Sequence, residues 1–537
     1  MRLPLLFISH CLISFSLGSF QDVFQIQEDP SSSPFGVDFD RKVEWALEHF
    51  SIPGLAVAVS HGELFSKGYG VSDILTSQPV TEHTLFFTGS TTKAFTAAAI
   101  SLLVDDNINF PDIHWDTLVH TILQTDFVLS DSWATSQMTL VDILSHRTGL
   151  PRHDWVWLAN ATLQEAVHSI RHLPFTASPR AEWQYSNLMY SAAAHLIESV
   201  TNQSFQSFLR DKIWLPLDMT ETYLSLTDAQ DAHRDISQGY FVGLDGELTP
   251  SHRIFTDILH GAGNILSSVS DYAKWISAML NRGPPLSPSG YEMLFGAHSI
   301  RSQNPMDPFT APTLYGLGWM IEIYQGETIL SHGGAQIGYG ASVVLLPQRN
   351  FGLVVLGNNM NGISAAANIL AYHLIDEELG FPLESRYDWV ARGNEFIEDT
   401  HLSENILSEL YPGIPSPPLP NPLDLSAFEG FYTHPAYPDL TISSHCTTHS
   451  PAYQVFNRTT PDLCVSLVQP NGYSKDMECG LFHVSGTYWL QITVRSGDAS
   501  AARAGFSIDP DGSISSLGVE IEPVMAAQGE SIWWRRV

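Results

Sequence analysis

Of the six lysines in this 537-residue chain, at positions 42, 67, 93, 212, 274 and 475, one alone has a serine three residues before it: Ser90 precedes Lys93. A serine hydroxyl attacks poorly unless a neighbouring group takes its proton, and a lysine withdrawn from water is neutral enough to do so. Gly89 stands before Ser90 and a helical run follows, which puts the hydroxyl at a helix N-terminus and Lys93 one turn later on the same side. Without chemistry, Ser90 would cap that helix and Lys93 would be a surface charge, the commoner fate of such a pair. Two other stretches are unusual. Tyr185-Ser186-Asn187 holds the one tyrosine among 18 with an asparagine two residues on, and His332-Gly333-Gly334-Ala335 leads into Gly338-Tyr339-Gly340.

Residues so far apart must be gathered by the fold. The helix that begins at Ser90 is expected to reach about Val104, because Ala94, Ala97, Ala98 and Leu102 favour helix and neither glycine nor proline intervenes. A second helix is expected over Asn187–Val200, with others at 41–50, 271–280 and 363–379. Strands are expected at Leu55–Ser60 and Glu63–Val71 around a His61-Gly62 turn, and again at 328–330, 341–346 and 352–356. First and last strands should therefore share one sheet in an α+β domain over residues 19–410. Residues 411–422 are dense in proline and read as an extended, semi-rigid linker. Short β-type runs beyond it, such as 488–494 and 513–521, suggest a small all-β domain at 423–537, accessory, separable and without a catalytic constellation of its own.

Composition narrows the partners and the compartment. Hydrophobic residues form 44% of the chain, enough for a sizeable core, while 25 Lys+Arg against 57 Asp+Glu leave a net charge of −32. Nucleic acid and anionic membranes are poor partners for such a chain. Arg2 is followed by an apolar run from Leu3 to Leu17 and by small residues at Ser16, Gly18 and Ser19, the pattern of a secretory signal peptide over residues 1–18. No later run is long and apolar enough for a membrane span. The chain is accordingly expected to be secreted, with glycosylation acceptors at Asn160, Asn202 and Asn457, each followed two residues on by Ser or Thr. Beyond the leader remain Cys446, Cys464 and Cys479, which allow three pairings of one disulfide, with the odd thiol buried. His168 and His172 have helical spacing but no third ligand nearby, and no metal or cofactor is implied.

Ser90-x-x-Lys93, Tyr185-x-Asn187 and His332-Gly-Gly occur in the order seen in the serine β-lactamase and penicillin-binding-protein superfamily. The chain resembles its class C β-lactamase-like branch of esterases, D-aminopeptidases and acyltransferases. Further matching stretches are Leu144-Ser-His-Arg-Thr-Gly-Leu-Pro151, Pro216-Leu-Asp-Met219 with Thr222, and Gly261-Ala-Gly-Asn264, so the resemblance covers about residues 40–375. It implies an antiparallel sheet flanked by helices plus an all-helical region. It also implies that Ser90 is acylated, that Lys93 is its base and that Tyr185 shares the proton traffic. Asn187 would bind a substrate carbonyl or hold Lys93. His332, Gly333 and Gly334 would line the site along an edge strand, and the N–H groups of Ser90 and Ala335 would face the oxyanion. Residues 425–432 are similar to the opening strand of small β-barrels that trail many such enzymes.

Departures from the pattern refine the function. His332-Gly333 stands where β-lactamases carry Lys-Thr, and a histidine with a pKa near ~6.5 is mostly neutral at pH 7 and gains its charge in mild acid. That argues against antibiotic hydrolysis and for uncharged esters, with Arg349 and Arg147 the first alternative cations for a carboxylate. Met189 and Asp218 replace glycines of the pattern. Trp155 and Trp157 could wall an acyl pocket, although buried core tryptophans are the commoner case. The leading function is a serine hydrolase acting on a small-molecule ester, amide or peptide. An acyltransferase of the same fold shares every motif, whereas an idle scaffold relative would not need Ser90, Lys93 and Tyr185 together.

Overall fold

The computed structural model describes residues 33–537 except 254, 448, 449, 451, 454–457, 459, 476 and 496. The expected leader at 1–18 and the sequon at Asn457 lie outside the described residues. Helix Val37–His49 buries Phe39, Val43 and Ala46, one stripe of its surface. Strands Gly54–His61 and Glu63–Asp73 follow, joined at Gly62, where a φ of +73° suits glycine. Successive side chains of the first strand point to opposite faces. Val57 and Val59 pack with helices Val37–His49 and Met360–Glu378, while Ala56 and Ala58 join the larger core on the other side.

Strand Gly54–His61 also pairs antiparallel with Phe351–Gly357, from Leu55 against Gly357 to His61 against Phe351. Early and late strands of the first domain thus meet in one sheet of nine strands, in the spatial order 78–79, 63–73, 54–61, 351–357, 339–346, 327–336, 320–324, 313–315 and 299–302. The long excursion between Pro79 and Ser299 is mainly helical and carries helices Thr92–Asp105, Asn187–Thr201 and Val269–Asn281 into the larger core. Strand Glu327–Gln336 is longer than its sequence suggested, so His332 to Ala335 lie within it and not after it. Two glycines mask its strand character, and pairing with Tyr339–Leu346 overrides that deficit.

Asp218 adopts a left-handed φ of +58°, which explains why relatives of the pattern use glycine there, and Lys274 grips both its carbonyl and its carboxylate. Met189 is fully buried in helix Asn187–Thr201.

Eight strands between Gly430 and Arg536 close into a barrel in which the last strand pairs with the first, Tyr432 against Arg536. A disulfide joins Cys446 to Cys464, and Cys479 is free and buried. The proline-dense stretch packs along this barrel. Tyr411 donates its hydroxyl to the Trp489 carbonyl, and Leu419 N–H bonds Ser485 Oγ at 3.0 Å.

The barrel is also fastened to the first domain. Asn471 Nδ2 donates to the carbonyls of Trp157 and Ala159 at 2.6 and 3.0 Å, and the Tyr473 ring stacks on Trp157. His153 Nδ1 lies 2.7 Å from the Tyr437 hydroxyl, while its own N–H reaches Glu522.

Candidate active site

Ser90 sits in a single 3-10 turn, Gly89–Thr91, that runs into helix Thr92–Asp105. Its hydroxyl caps no backbone N–H. Instead Oγ lies 3.2 Å from Lys93 Nζ and accepts a hydrogen bond of 2.8 Å from the Tyr185 hydroxyl. Gly89 has a φ of +52°, and a Cβ there would meet Ala335 N at 2.5 Å; a Cβ on Gly334 would meet Thr88 O at 2.0 Å. The turn and the strand therefore touch backbone to backbone, which only glycine allows. This contact sets the Ala335 amide beside the nucleophile turn, where an oxyanion hole needs it. Pairing of Glu327–Gln336 with Met320–Tyr324 stops at Ser331, so the strand from His332 onward has a free edge although it lies well inside the sheet order.

Lys93 is fully buried. Besides Ser90 it reaches Asn187 Oδ1 at 2.6 Å and the Ala262 carbonyl at 2.8 Å. The Asn187 amide is oriented by Asp154, whose Oδ1 accepts from Nδ2 at 3.2 Å, and Asp154 is held in turn by Arg152 Nε at 2.5 Å. Burial, followed by the Arg152 charge, pushes the Lys93 pKa well below its ordinary value. A neutral amine has two N–H groups, which match the two carbonyl oxygens, and one lone pair, which then faces the Ser90 hydroxyl. Burial pushes the Tyr185 phenol far up, against the smaller effects of Ser90 and Arg152, so it keeps its proton across neutral pH.

Tyr185 and Asn187 are set by the stretch Leu144–Pro151. Gln184 N–H bonds the His146 carbonyl at 2.7 Å, Ser186 N–H bonds His146 Nδ1 at 3.1 Å, and the imidazole lies 4.4 Å from the Tyr185 ring. His146 is thus a positioning residue that sequence reasoning missed; its motif was visible, but its target was not. The loop is tied down by buried Asp142, which takes Arg147 Nε at 2.6 Å and Arg180 Nη2 at 2.7 Å.

The same geometry corrects the reading of His332. Its ring is 4% exposed, Nδ1 donates to the Gly333 carbonyl at 2.7 Å, and Nε2 therefore accepts from the Tyr315 hydroxyl at 3.1 Å. Burial first, and Lys93 second, lower its pKa to about 3. Mild acid will not charge it. Arg349 and Arg147 do not replace it, since each is spent on a carboxylate, Glu327 and Asp142, and neither lines the cavity. Arginines 152, 301, 392 and 495 do line it, and Arg392 is paired with Glu395.

The cavity measures about 1210 Å³ and contains Ser90, Tyr185, Asn187 and His332 to Ala335 in its wall. Trp157 is half-buried, packs against the core and also forms part of that wall. Tyr473, Arg495 and Asp498 of the barrel complete it, so the second domain is no bystander. Asn160 and Asn202 are exposed and outside the wall.

This arrangement has counterparts among known proteins. A family model for Beta-lactamase matches residues 39–375. The chain is 38% identical over 523 residues to "Unguisins hydrolase ungD'" of Aspergillus campestris (strain IBT 28561), covering 95% of this chain and 93% of that one. "Unguisins hydrolase ungD" of Aspergillus violaceofuscus (strain CBS 115571) is 34% identical over 540 residues, 95% and 92% of the two chains. In fold, the octameric penicillin-binding protein homologue from Pyrococcus abyssi superposes with a TM-score of 0.59 at 19% identity, over 90% of this chain and 97% of that one. The match over most of the first domain, the full-length relatives and the shared fold together make this chain a member of the Beta-lactamase family.

Proposed function

We propose that this protein is a secreted serine hydrolase that cleaves an ester or amide through an acyl-enzyme on Ser90. The observation that carries the reading is the placement of Ser90 Oγ between the buried Lys93 amine at 3.2 Å, whose pKa burial pushes well down, and the Tyr185 phenol at 2.8 Å. As Oγ attacks the substrate carbonyl carbon, the Ser90 proton passes to Lys93 and the carbonyl electron pair moves onto oxygen, held by the N–H groups of Ser90 and Ala335. Collapse breaks the bond to the leaving amine or alcohol. Tyr185 protonates that group and recovers a proton from Lys93. Water then attacks the ester on Ser90, gives its proton to Lys93, and Ser90 leaves with that proton as the acid departs.

Secretion is supported by the N-terminal apolar run, by exposure of Asn160 and Asn202, and by the Cys446–Cys464 bond, since disulfides persist mainly in oxidising compartments. Because its relatives are named for unguisins, a compound of that class is the first substrate to offer.

The test is intact-mass analysis after a fluorophosphonate probe. A single adduct that maps to Ser90 and is absent from Ser90→Ala is expected. Equal labelling of Ser90→Ala overturns the assignment. Product analysis with and without an added amine or alcohol acceptor then separates hydrolysis from acyl transfer.

A further inference from the structure

Arg495 ends strand Tyr488–Arg495 of the barrel and pairs with Asp498, the first residue of the next strand, across a tight hairpin. The hairpin is seated on the first domain. A Cβ on Gly497 would meet the Val242 carbonyl at 2.3 Å, and Asn361 Nδ2, on helix Met360–Glu378, donates to Asp498 Oδ1 at 3.0 Å. These contacts fix Arg495 in the wall shared by the active-site cavity and a smaller one of about 310 Å³ beside it.

Among the described residues, Arg495 forms no ion pair. The titratable groups near enough to feel its charge are Tyr473, Asp498 and Asp154; burial raises the Tyr473 pKa so that the phenol keeps its proton, and both carboxylates are committed elsewhere, Asp498 to Asn361 and Asp154 to Arg152 and Asn187. A guanidinium taken largely out of water without a partner is costly, and its planar fork matches the two oxygens of a carboxylate. In a chain with a net charge of −32, an unpaired cation in this wall is not general surface chemistry. Its place is the Asp154 side of the cavity, where Asn187 holds Lys93, and not the His332 side.

We infer that Arg495, carried into the active site by the barrel hairpin, binds a carboxylate of the substrate, so that the enzyme favours acyl groups with a free acid over their neutral counterparts. This rests on the acyl-enzyme reading for which molecule is bound, and its test reads binding instead of turnover. Ser90→Ala protein, which cannot be acylated, is titrated with mono-p-nitrophenyl glutarate and with the methyl ester of the same compound.

The acid is expected to bind about tenfold more tightly, the scale of one charge-assisted contact. The preference should vanish in Ser90→Ala/Arg495→Gln, persist in part in Ser90→Ala/Arg495→Lys, and shrink as salt is raised. Equal binding of the two esters, no binding of the acid, or a preference that survives Arg495→Gln overturns the inference. Should the Gln variant fail to fold, the Lys variant and the salt dependence still decide it. If Ser90 labelling fails while the preference holds and depends on Arg495, the hydrolase reading falls and this subsite stands.

Discussion

Lys93 makes the sharpest demand at the scale of single residues, because a base must be unprotonated to act. Its folded pKa lies well below the ordinary lysine value of 10.5, so the free amine is already abundant well below the pH at which an exposed lysine would supply it. Activity should fall as pH drops through that value, and kcat/KM against pH should show this acid limb, with no loss of the Tyr185 proton below pH ~10. Lys93→Arg keeps a cation yet supplies no base, so it should depress kcat/KM by roughly 10²- to 10⁴-fold, as should Lys93→Ala. An active Lys93→Arg would refute the role. His332 bears on substrate choice. Neutral and already bonded to Gly333 and Tyr315, it offers no charge to a penicillin carboxylate at any pH between about 4 and 8. Penicillins should therefore have lower kcat/KM than small neutral esters, and the ratio should not recover in mild acid. If penicillins prove the better substrates, Arg301, which faces Trp183 in the cavity wall, is the cation to replace first.

At the scale of elements, the nucleophile turn depends on what it lacks. Gly89→Ala adds a methyl 2.5 Å from Ala335 N at a φ of +52°, so the turn or the strand must move. A displacement of an ångström at such a site costs about 10²-fold in rate. Fluorophosphonate labelling of Gly89→Ala should slow by at least that much while the far-ultraviolet circular dichroism stays unchanged; normal labelling would show that the turn tolerates the shift. The chemistry of this turn was legible in the sequence because Ser90 and Lys93 lie one helical turn apart, a local relation. The roles of Asp142 and His146 were not, since both act on residues some 40 positions later, Arg180 and the Tyr185 segment, which only tertiary structure brings near. For the same reason the extent of strand Glu327–Gln336 escaped a reading of Gly333 and Gly334 in isolation.

The whole molecule shows why the barrel could not be read as part of the site. Tyr473, Arg495 and Asp498 have no spacing in common with Ser90, and their place in the cavity follows from how two domains dock. His153 lies at that junction, with Nδ1 at the Tyr437 hydroxyl and Nε2 2.9 Å from the Pro174 carbonyl. Burial lowers its pKa from 6.5 to about 4, partly offset by Pro174 and Asp154. Unfolded, it titrates near ~6.5. The sign follows from proton counting: above pH ~6.5 both states are neutral, whereas between that value and about 4 the unfolded state alone binds the proton, so stability drains away as pH falls. At pH 5 the loss from this one residue is about 2 kcal/mol, from ~1.5 pH units at ~1.4 kcal/mol each. His153→Gln cannot titrate. It should be less stable than the parent at pH 7.5, through the lost bonds to Tyr437 and Pro174, yet lose about 2 kcal/mol less between pH 7.5 and pH 5 in urea unfolding. Parallel pH dependences for parent and variant would show that the His153 junction gives way to water before the protein unfolds.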